Sequence, residues 1–359
     1  MKYYIKEYQI GENTAGPKAR EDVEKVLESE GFTPIDINIT INTKFNKKES
    51  FTNRQIRKIN TYKKWNSVLR RAMKDDILFI QLPFLGRTFF QNHLLKKLNK
   101  RGVKVIALIH DLDSLRFTIN SSFDKINRYR INQRDIHTLN LVNQIIVHNS
   151  KMKLKLEKIG IESSKMVELE IFDYLIPNYD NHVDQQNFLL NDPIIIAGAL
   201  RRKKAGYAYN LPKDCNFNIY GPGYTKPKQE NINYFGSFPP DEIPFVLEGS
   251  FGLIWDGTSI DTCDGPTGKY LQINNPHKTS LYLACGIPIL VWDKAAIAEF
   301  VVKNNCGVVI ESLRDLKKVL GKISTKQYEE LRKAALTIGD RLRIGYYTKT
   351  ALKVCLSNL

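Results

Sequence analysis

The residues most suggestive of chemistry lie in "NNPHKTSLYLACGIPILVW", residues 274–292, where Asn-Asn-Pro-His-Lys opens an apolar helix that stops at Gly-Ile-Pro. Pro276 suits the first helical turn, where its missing N–H costs nothing. Leu281, Leu283 and Ala284 give the helix a buried side, and Gly286 can end it in a left-handed conformation. Lys278 beside the backbone N–H groups and the positive dipole end of such a helix makes a place for an anion. A second cationic cluster, Arg201, Arg202, Lys203 and Lys204, follows the strand-like "PIIIAGAL" on a short loop and has the composition of a phosphate clamp. Carboxylates come from "HDLDSLR", residues 110–116, just past "VKVIAL". There Asp111 can serve as general base or bind a metal, while Asp113 or Ser114 can cap the next helix.

Two further stretches carry weaker signals. "GENTAGPKAR", residues 11–20, is a loop of small residues (Thr14, Ala15, Gly16) before a helix with Pro17 in its first turn, and it lets a ligand approach the backbone. "IYGPGYT" leaves Tyr220 at a strand end, where its ring either stacks on a base or packs. A long Gly- and Asp-rich loop, residues 255–278, separates "FGLI" from the anion-binding helix, and loops of that length are usually functional. No G-x-G-x-x-G, G-x-x-x-x-G-K-[ST], G-x-S-x-G or H-E-x-x-H is present, which disfavours dehydrogenases, P-loop NTPases, serine hydrolases and zincins.

These groups need a scaffold. "KYYIKEYQI", "PIDINI", "DILFIQLPF", "VKVIALIHD" and "NQIIVHN" read as strands separated by helical segments. After a polar stretch at residues 177–191, taken as a linker, the theme restarts with "PIIIAGAL", "FNIYG", "INYFGSF", "FGLIWDG", "IPILVW" and "GVVI". Apolar runs without alternation mean strands covered on both faces, hence parallel, doubly wound α/β sheets. Two Rossmann-like halves would place their ligands outside the carboxyl ends of the strands.

With 359 residues, 42% hydrophobic, the chain reads as a two-domain globular protein, and no run approaches the ~20 apolar residues of a membrane span. Five scattered cysteines without a C-x-x-C pair suggest a reducing, cytoplasmic setting and no zinc site. The net charge of +16 is concentrated in residues 40–74, where eleven cations face only Glu49. Interleaved Phe51, Ile56, Ile59, Trp65, Val68 and Leu69 suit an anionic membrane surface, with nucleic acid and a merely solvated helix face as the other readings.

The stretch from "FGLIWDG" through "NNPHKTSLYLACGIPILVW" to "GVVI" resembles the nucleotide-sugar-binding half of GT-B glycosyltransferases. More narrowly, "NTAGPKA", "IHD" and "NNPHK" resemble bacterial galactofuranosyltransferases of surface-polysaccharide synthesis and the related glucosyltransferases that modify serine-rich adhesins. The resemblance implies a GT-B fold of two Rossmann-like doubly wound domains facing a central cleft. It divides into an acceptor-side domain over 1–180, a nucleotide-sugar-binding domain over 181–335, and C-terminal helices over 336–359 packing back toward the first. It implies a UDP-sugar donor, galactofuranose ahead of glucose, and a saccharide acceptor carried on a lipid.

Residue by residue, it implies that Asn275, His277, Lys278 and Thr279 bind the donor with Arg202 as second phosphate cation and Tyr220 near the uracil. Thr14, Ala15 and Gly16 would close over the donor, and Asp111 with His110 would face the acceptor as catalytic groups. Many retaining GT-B enzymes carry two glutamates eight positions apart around this helix. Ile273 and Leu281 stand there instead, which favours inversion. No metal or other cofactor is expected, although Asp111 and Asp113 spell the Asp-x-Asp of metal-dependent single-domain glycosyltransferases. The expected setting is peripheral at the inner membrane face, with homo-oligomers open and no nucleic acid. A non-enzymatic module binding nucleic acid or an anionic polymer is the alternative of a different class.

Overall fold

A computed structural model describes residues 1–10, 15–42, 51–85, 91–116, 122–179, 188–225 and 229–359. The chain divides into two compact units. One comprises Met1–Glu12, Val23–Leu169 and Thr348–Leu359, the other Asn13–Asp22 and Glu170–Tyr347. Residues 170–179, expected in the first domain, therefore group with the second, and the expected C-terminal segment 336–359 is shared between the units.

The first sheet is built from β1 (Lys2–Ile10), β2 (Thr33–Asn42), β3 (Ile77–Leu82), β4 (Lys104–Ile109), β5 (Gln144–Val147) and β6 (Met166–Glu168). Its connecting helices are α1 (Ala15–Ser29), α2 (Phe51–Arg71), α3 (Gln91–Lys100), α4 (Asp113–Arg116), α5 (Ser122–Asn140) and α6 (Ser150–Glu157). The strand order is β2-β1-β3-β4-β5-β6, all parallel. In β3 and β4 every residue after the first is buried, as unbroken apolar runs require. The three-residue β6 is not anticipated from the sequence, being too short to show a pattern.

The second sheet contains β7 (Ile194–Ala197), β8 (Phe217–Tyr220), β9 (Ile232–Gly236), β10 (Gly252–Ile254), β11 (Ile289–Trp292) and β12 (Gly307–Ile310). Its helices are α7 (Arg202–Ala205), α8 (Gly265–Tyr270), α9 (His277–Ala284), α10 (Ala298–Lys303), α11 (Leu316–Leu320) and α12 (Thr325–Arg343), and α13 (Tyr346–Ser357) closes the chain. The order β12-β11-β10-β7-β8-β9 is again wholly parallel and reverses direction between β7 and β10. Open α/β sheets bind ligands at the carboxyl ends of strands flanking such a reversal.

The basic segment needs a correction. Trp65, Val68, Leu69 and Ala72 on and just after α2 are buried, with Trp65 edge-on to Phe84 at 5.1 Å. Their spacing is that of a core-facing helical stripe, so Trp65 is not available to a membrane. Among the described side chains of α2, the exposed apolar ones are Ile56 and Ile59. Residues 43–50, with Lys44, Lys47 and Lys48, lie outside the described residues. Among the described residues no helix is long and apolar enough to cross a membrane.

Candidate donor and acceptor sites

In the second unit, α9 starts three residues later than the expected Asn274. Pro276 is the N-cap in extended conformation and His277 the first helical residue. The helix is seated on the sheet by close fits: a Cβ on Gly252 would lie 2.2 Å from the Tyr282 ring, whose hydroxyl accepts from Ala197 N–H at 2.6 Å. Gly286 ends it at φ +67, as Gly-Ile-Pro predicts, and any Cβ there would strike Leu336.

Lys278 reaches back from this helix to the end of β10, donating to the Trp255 carbonyl at 2.7 Å and to Asp256 Oδ1 at 2.9 Å. Both partners are largely shielded, with side-chain exposures of 15% for Lys278 and 11% for Asp256. In the same stretch of chain, Asn274 Oδ1, Thr279 Oγ1 and Ser280 Oγ are out of solvent and without hydrogen-bond partners. Buried polar atoms are rarely left so without a bridging water or another bound group. Asn275 donates its side-chain amide to the Glu170 carbonyl at 2.7 Å, a role in holding the loop. His277 packs against Tyr174 at 5.0 Å and Phe172 at 6.2 Å. Burial and the charge of Lys18 push its pKa down to about 3, so it is a neutral ring.

The preceding loop is tied down by Asp264, which accepts from Thr258 N–H, from Thr258 Oγ1 at 2.6 Å and from Ser259 N–H at 3.2 Å. Burial opposes its ionisation, but the bonds from Thr258 and Ser259 hold its carboxyl below the usual range. Gly257 N–H donates to Lys204 O at 2.7 Å, which links this loop to the cationic turn after β7. In that turn Arg202 is exposed and its guanidinium lies 4.2 Å over the Tyr209 ring. Gly198 and Gly221 bring the ends of β7 and β8 together so closely that a Cβ on Gly221 would lie 1.8 Å from Gly198 O.

Tyr220 does not fit the expected base-stacking role. Its ring is fully buried, lies flat on Phe235 at 4.9 Å, and its hydroxyl accepts from Glu248 N–H at 3.2 Å. A strand-end tyrosine becomes core when a neighbouring strand supplies a ring to cover it.

Ala15 and Gly16 open α1, whose first turns group with the second unit, and Thr14 lies outside the described residues. The residue overlooked in this stretch is Lys18. It is 2% exposed and bonded to Asp22 Oδ1 at 2.8 Å, Asp241 Oδ1 at 2.8 Å and Leu175 O at 2.7 Å, with its charge 5.2 Å over the Tyr174 ring. The i,i+4 spacing of Lys18 and Asp22 was the only local signal for it.

In the first unit, His110 and Asp111 stand directly past β4, beside the end of β3, where His110 N–H donates to Leu82 O at 2.7 Å. The His110 ring meets Gln81 Oε1 at 2.6 Å. Asp111 is partly exposed and 3.3 Å from Arg116. Asp113 is 3.2 Å from Arg134, which also holds Asp135 at 2.8 Å, so it belongs to an ion-pair cluster at the start of α4. A cavity of about 30 Å³ opens here, with Leu82, Phe84, Asp111, Asp113 and Arg134 in its wall. Among the described residues no group of three His, Cys, Asp or Glu side chains is placed to hold a metal ion.

Two parallel Rossmann-like sheets of this order are the architecture of the GT-B glycosyltransferases, the class to which this enzyme belongs. Residues 2–171 match the family model for the glucosyltransferase 3-like N-terminal domain, and residues 194–355 match that for the glucosyltransferase 3-like C-terminal domain. The chain belongs to this glucosyltransferase 3-like family. Beta-1,6-galactofuranosyltransferase WbbI of Escherichia coli (strain K12) is 29% identical over 99% of this chain and 99% of its own. Glucosyltransferase 3 of Streptococcus gordonii is 25% identical over 77% of this chain and 78% of its own. The solved structure of HepE from Anabaena in complex with UDP has a TM-score of 0.55 and 10% identity, covering 100% of both chains, a likeness of fold.

Proposed function

We propose that the protein moves a hexose from a UDP-sugar to a saccharide acceptor of bacterial surface-polysaccharide synthesis, with inversion and without a metal ion. The observation that carries this reading is the start of α9, where Lys278 lies in the first helical turn with its ammonium held at the end of β10 by Trp255 O and Asp256. A diphosphate would accept from the backbone N–H groups of the helix start and share the lysine with Asp256, and Arg202 would be its second cation. In the transfer, the acceptor oxygen bonds to the anomeric carbon while the bond from that carbon to the β-phosphate oxygen breaks. The electron pair leaves with UDP, whose charge the cations and helix N–H groups stabilise. The acceptor proton goes to a base at the end of β4, where His110 and Asp111 stand.

Galactofuranose is preferred over glucose as the donor sugar because the galactofuranosyltransferase relative is similar end to end. The family's glucosyltransferase members support glucose as the second reading, extending glycans on a serine-rich adhesin. The acceptor is lipid-linked in the first reading. The acid-free helix α2 would then hold the enzyme on an anionic leaflet through its cations and Ile56 and Ile59. Calorimetry with UDP, followed by transfer assays with UDP-galactofuranose and UDP-glucose in parallel, tests the reading. Absence of heat at millimolar UDP would overturn it.

A further inference from the structure

Beneath the acceptor-side residues the side chains of Glu24, Gln81 and His110 form a polar chain. Gln81 is the fifth residue of β3 and is 3% exposed. Its Oε1 is 2.6 Å from His110 Nε2, and its Nε2 is 3.5 Å from Glu24 Oε1. Glu24, on α1, is itself buried, with Lys6 Nζ 3.9 Å from its other oxygen. An ionised carboxylate only accepts, so the Gln81 amide N–H₂ must face Glu24 and its carbonyl must face His110. The ring nitrogen facing a carbonyl must carry the proton.

We propose that Glu24 and Gln81 are positioning residues that hold His110 as its Nε2–H tautomer, making His110 Nδ1 the atom that takes the acceptor proton. This rests on the glycosyl-transfer reading and selects between the two side chains at the end of β4. When the acceptor O–H proton passes to Nδ1, the imidazolium formed keeps its Nε2–H on the Gln81 carbonyl, whose dipole Glu24 reinforces. The arrangement does for histidine what a buried carboxylate does in a Ser-His-Asp triad, with an amide interposed. The ring is also placed from below: His148, at the end of β5, contacts Ile109 O at 2.9 Å and fixes the strand end that bears His110.

Among the described residues, the ionisable groups on elements neighbouring His110 include Glu24 on α1, Lys6 and Glu7 on β1, Asp111 beside it, Arg116 on α4 and His148 past β5. Arg116 is occupied by Asp111 and Glu7 by the Leu85 N–H at 3.0 Å. Burial keeps His148 neutral, with its pKa down to about 4.

The test is the pH profile of kcat and the ¹⁵N spectrum of the His110 ring, in wild type, Gln81→Leu, Gln81→Glu and His110→Ala. Nε2–H is expected in wild type. Gln81→Leu should lower kcat about tenfold or more, inside the roughly 10²–10⁴-fold range of general-base catalysis, with donor and acceptor KM within threefold. Its acid limb should move to lower pH, because an imidazolium without the carbonyl is harder to form. Gln81→Glu should move that limb to higher pH and retain more kcat, and it carries the test if the leucine variant fails to fold. His110→Ala should lose the limb altogether. An active protein whose limb is the same in all variants, or an Nδ1–H tautomer, overturns the relay. A wild-type protein that neither binds UDP nor transfers sugar overturns the enzymatic reading instead.

Discussion

Lys278 Nζ stands 2.9 Å from Asp256 Oδ1 in a shielded pair that joins the start of α9 to the end of β10. The cation at the helix start is thus held by a carboxylate, and a diphosphate there must share it. Lys278→Ala should cost about 2–4 kcal/mol of transition-state stabilisation if the lysine holds the leaving group, and should lower Tm by stranding Asp256. Asp256→Asn separates the two effects. Removing the neighbouring negative charge should tighten UDP binding in calorimetry, whereas weaker binding would show that Asp256 aims the lysine. Transfer by Lys278→Ala within threefold of wild type would dismiss the clamp.

Neither carboxylate of the Asp-x-Asp is a spare ligand: Asp113 pairs with Arg134 at 3.2 Å and Asp111 with Arg116 at 3.3 Å. Full transfer activity is expected in excess EDTA. Activity lost there and restored by manganese would return both aspartates to a metal–diphosphate role.

The sheets were legible because burial on both faces leaves unbroken apolar runs, as in "ILFIQL" of β3 and "KVIALI" of β4. Gly-Ile-Pro marked the end of α9 for a local reason, a left-handed glycine. What the sequence concealed depends on partners distant along the chain. Lys18 bonds to Leu175, 157 residues away, and locally only its i,i+4 spacing to Asp22 hints at that burial. Tyr220 became core because Phe235 arrives on β9 to cover it. Trp65 was readable, since residues 65, 68, 69 and 72 form a helical stripe, but the surrounding cations masked it.

Two buried histidines give the fold a pH dependence of known sign. Burial, aided at His277 by Lys18, takes His277 down to about 3, and burial takes His148 down to about 4. An unfolded histidine titrates near ~6.5, so between about 4 and 6.5 the unfolded chain binds more protons than the folded one. Stability therefore rises with pH across that window and is lost as pH falls through it. Urea midpoints should drop from pH 7 to pH 5, and His277→Phe should flatten the drop. Equal wild-type midpoints at the two pH values would contradict the neutral, buried state of both rings.

The exposed face of α2 makes the membrane reading specific. Ile56 and Ile59 are 56% and 55% exposed, and Lys63 and Arg70 follow at spacings of four and seven on the same helical face. The helix contains no acidic residue, so nothing on it offsets the attraction to an anionic leaflet. At about 1 kcal/mol per cation near the surface, Lys63, Arg70 and the two isoleucines support a reversible attachment. Flotation should show binding to vesicles rich in anionic lipid that is lost at high salt. Lys63→Gln with Arg70→Gln should weaken it, and Ile56→Ser with Ile59→Ser should weaken it in a salt-independent way. Equal binding to neutral vesicles would exclude the electrostatic anchor. Binding to neither kind of vesicle would shift the acceptor from a lipid-linked saccharide to a soluble protein, and with it the preferred donor from galactofuranose to glucose.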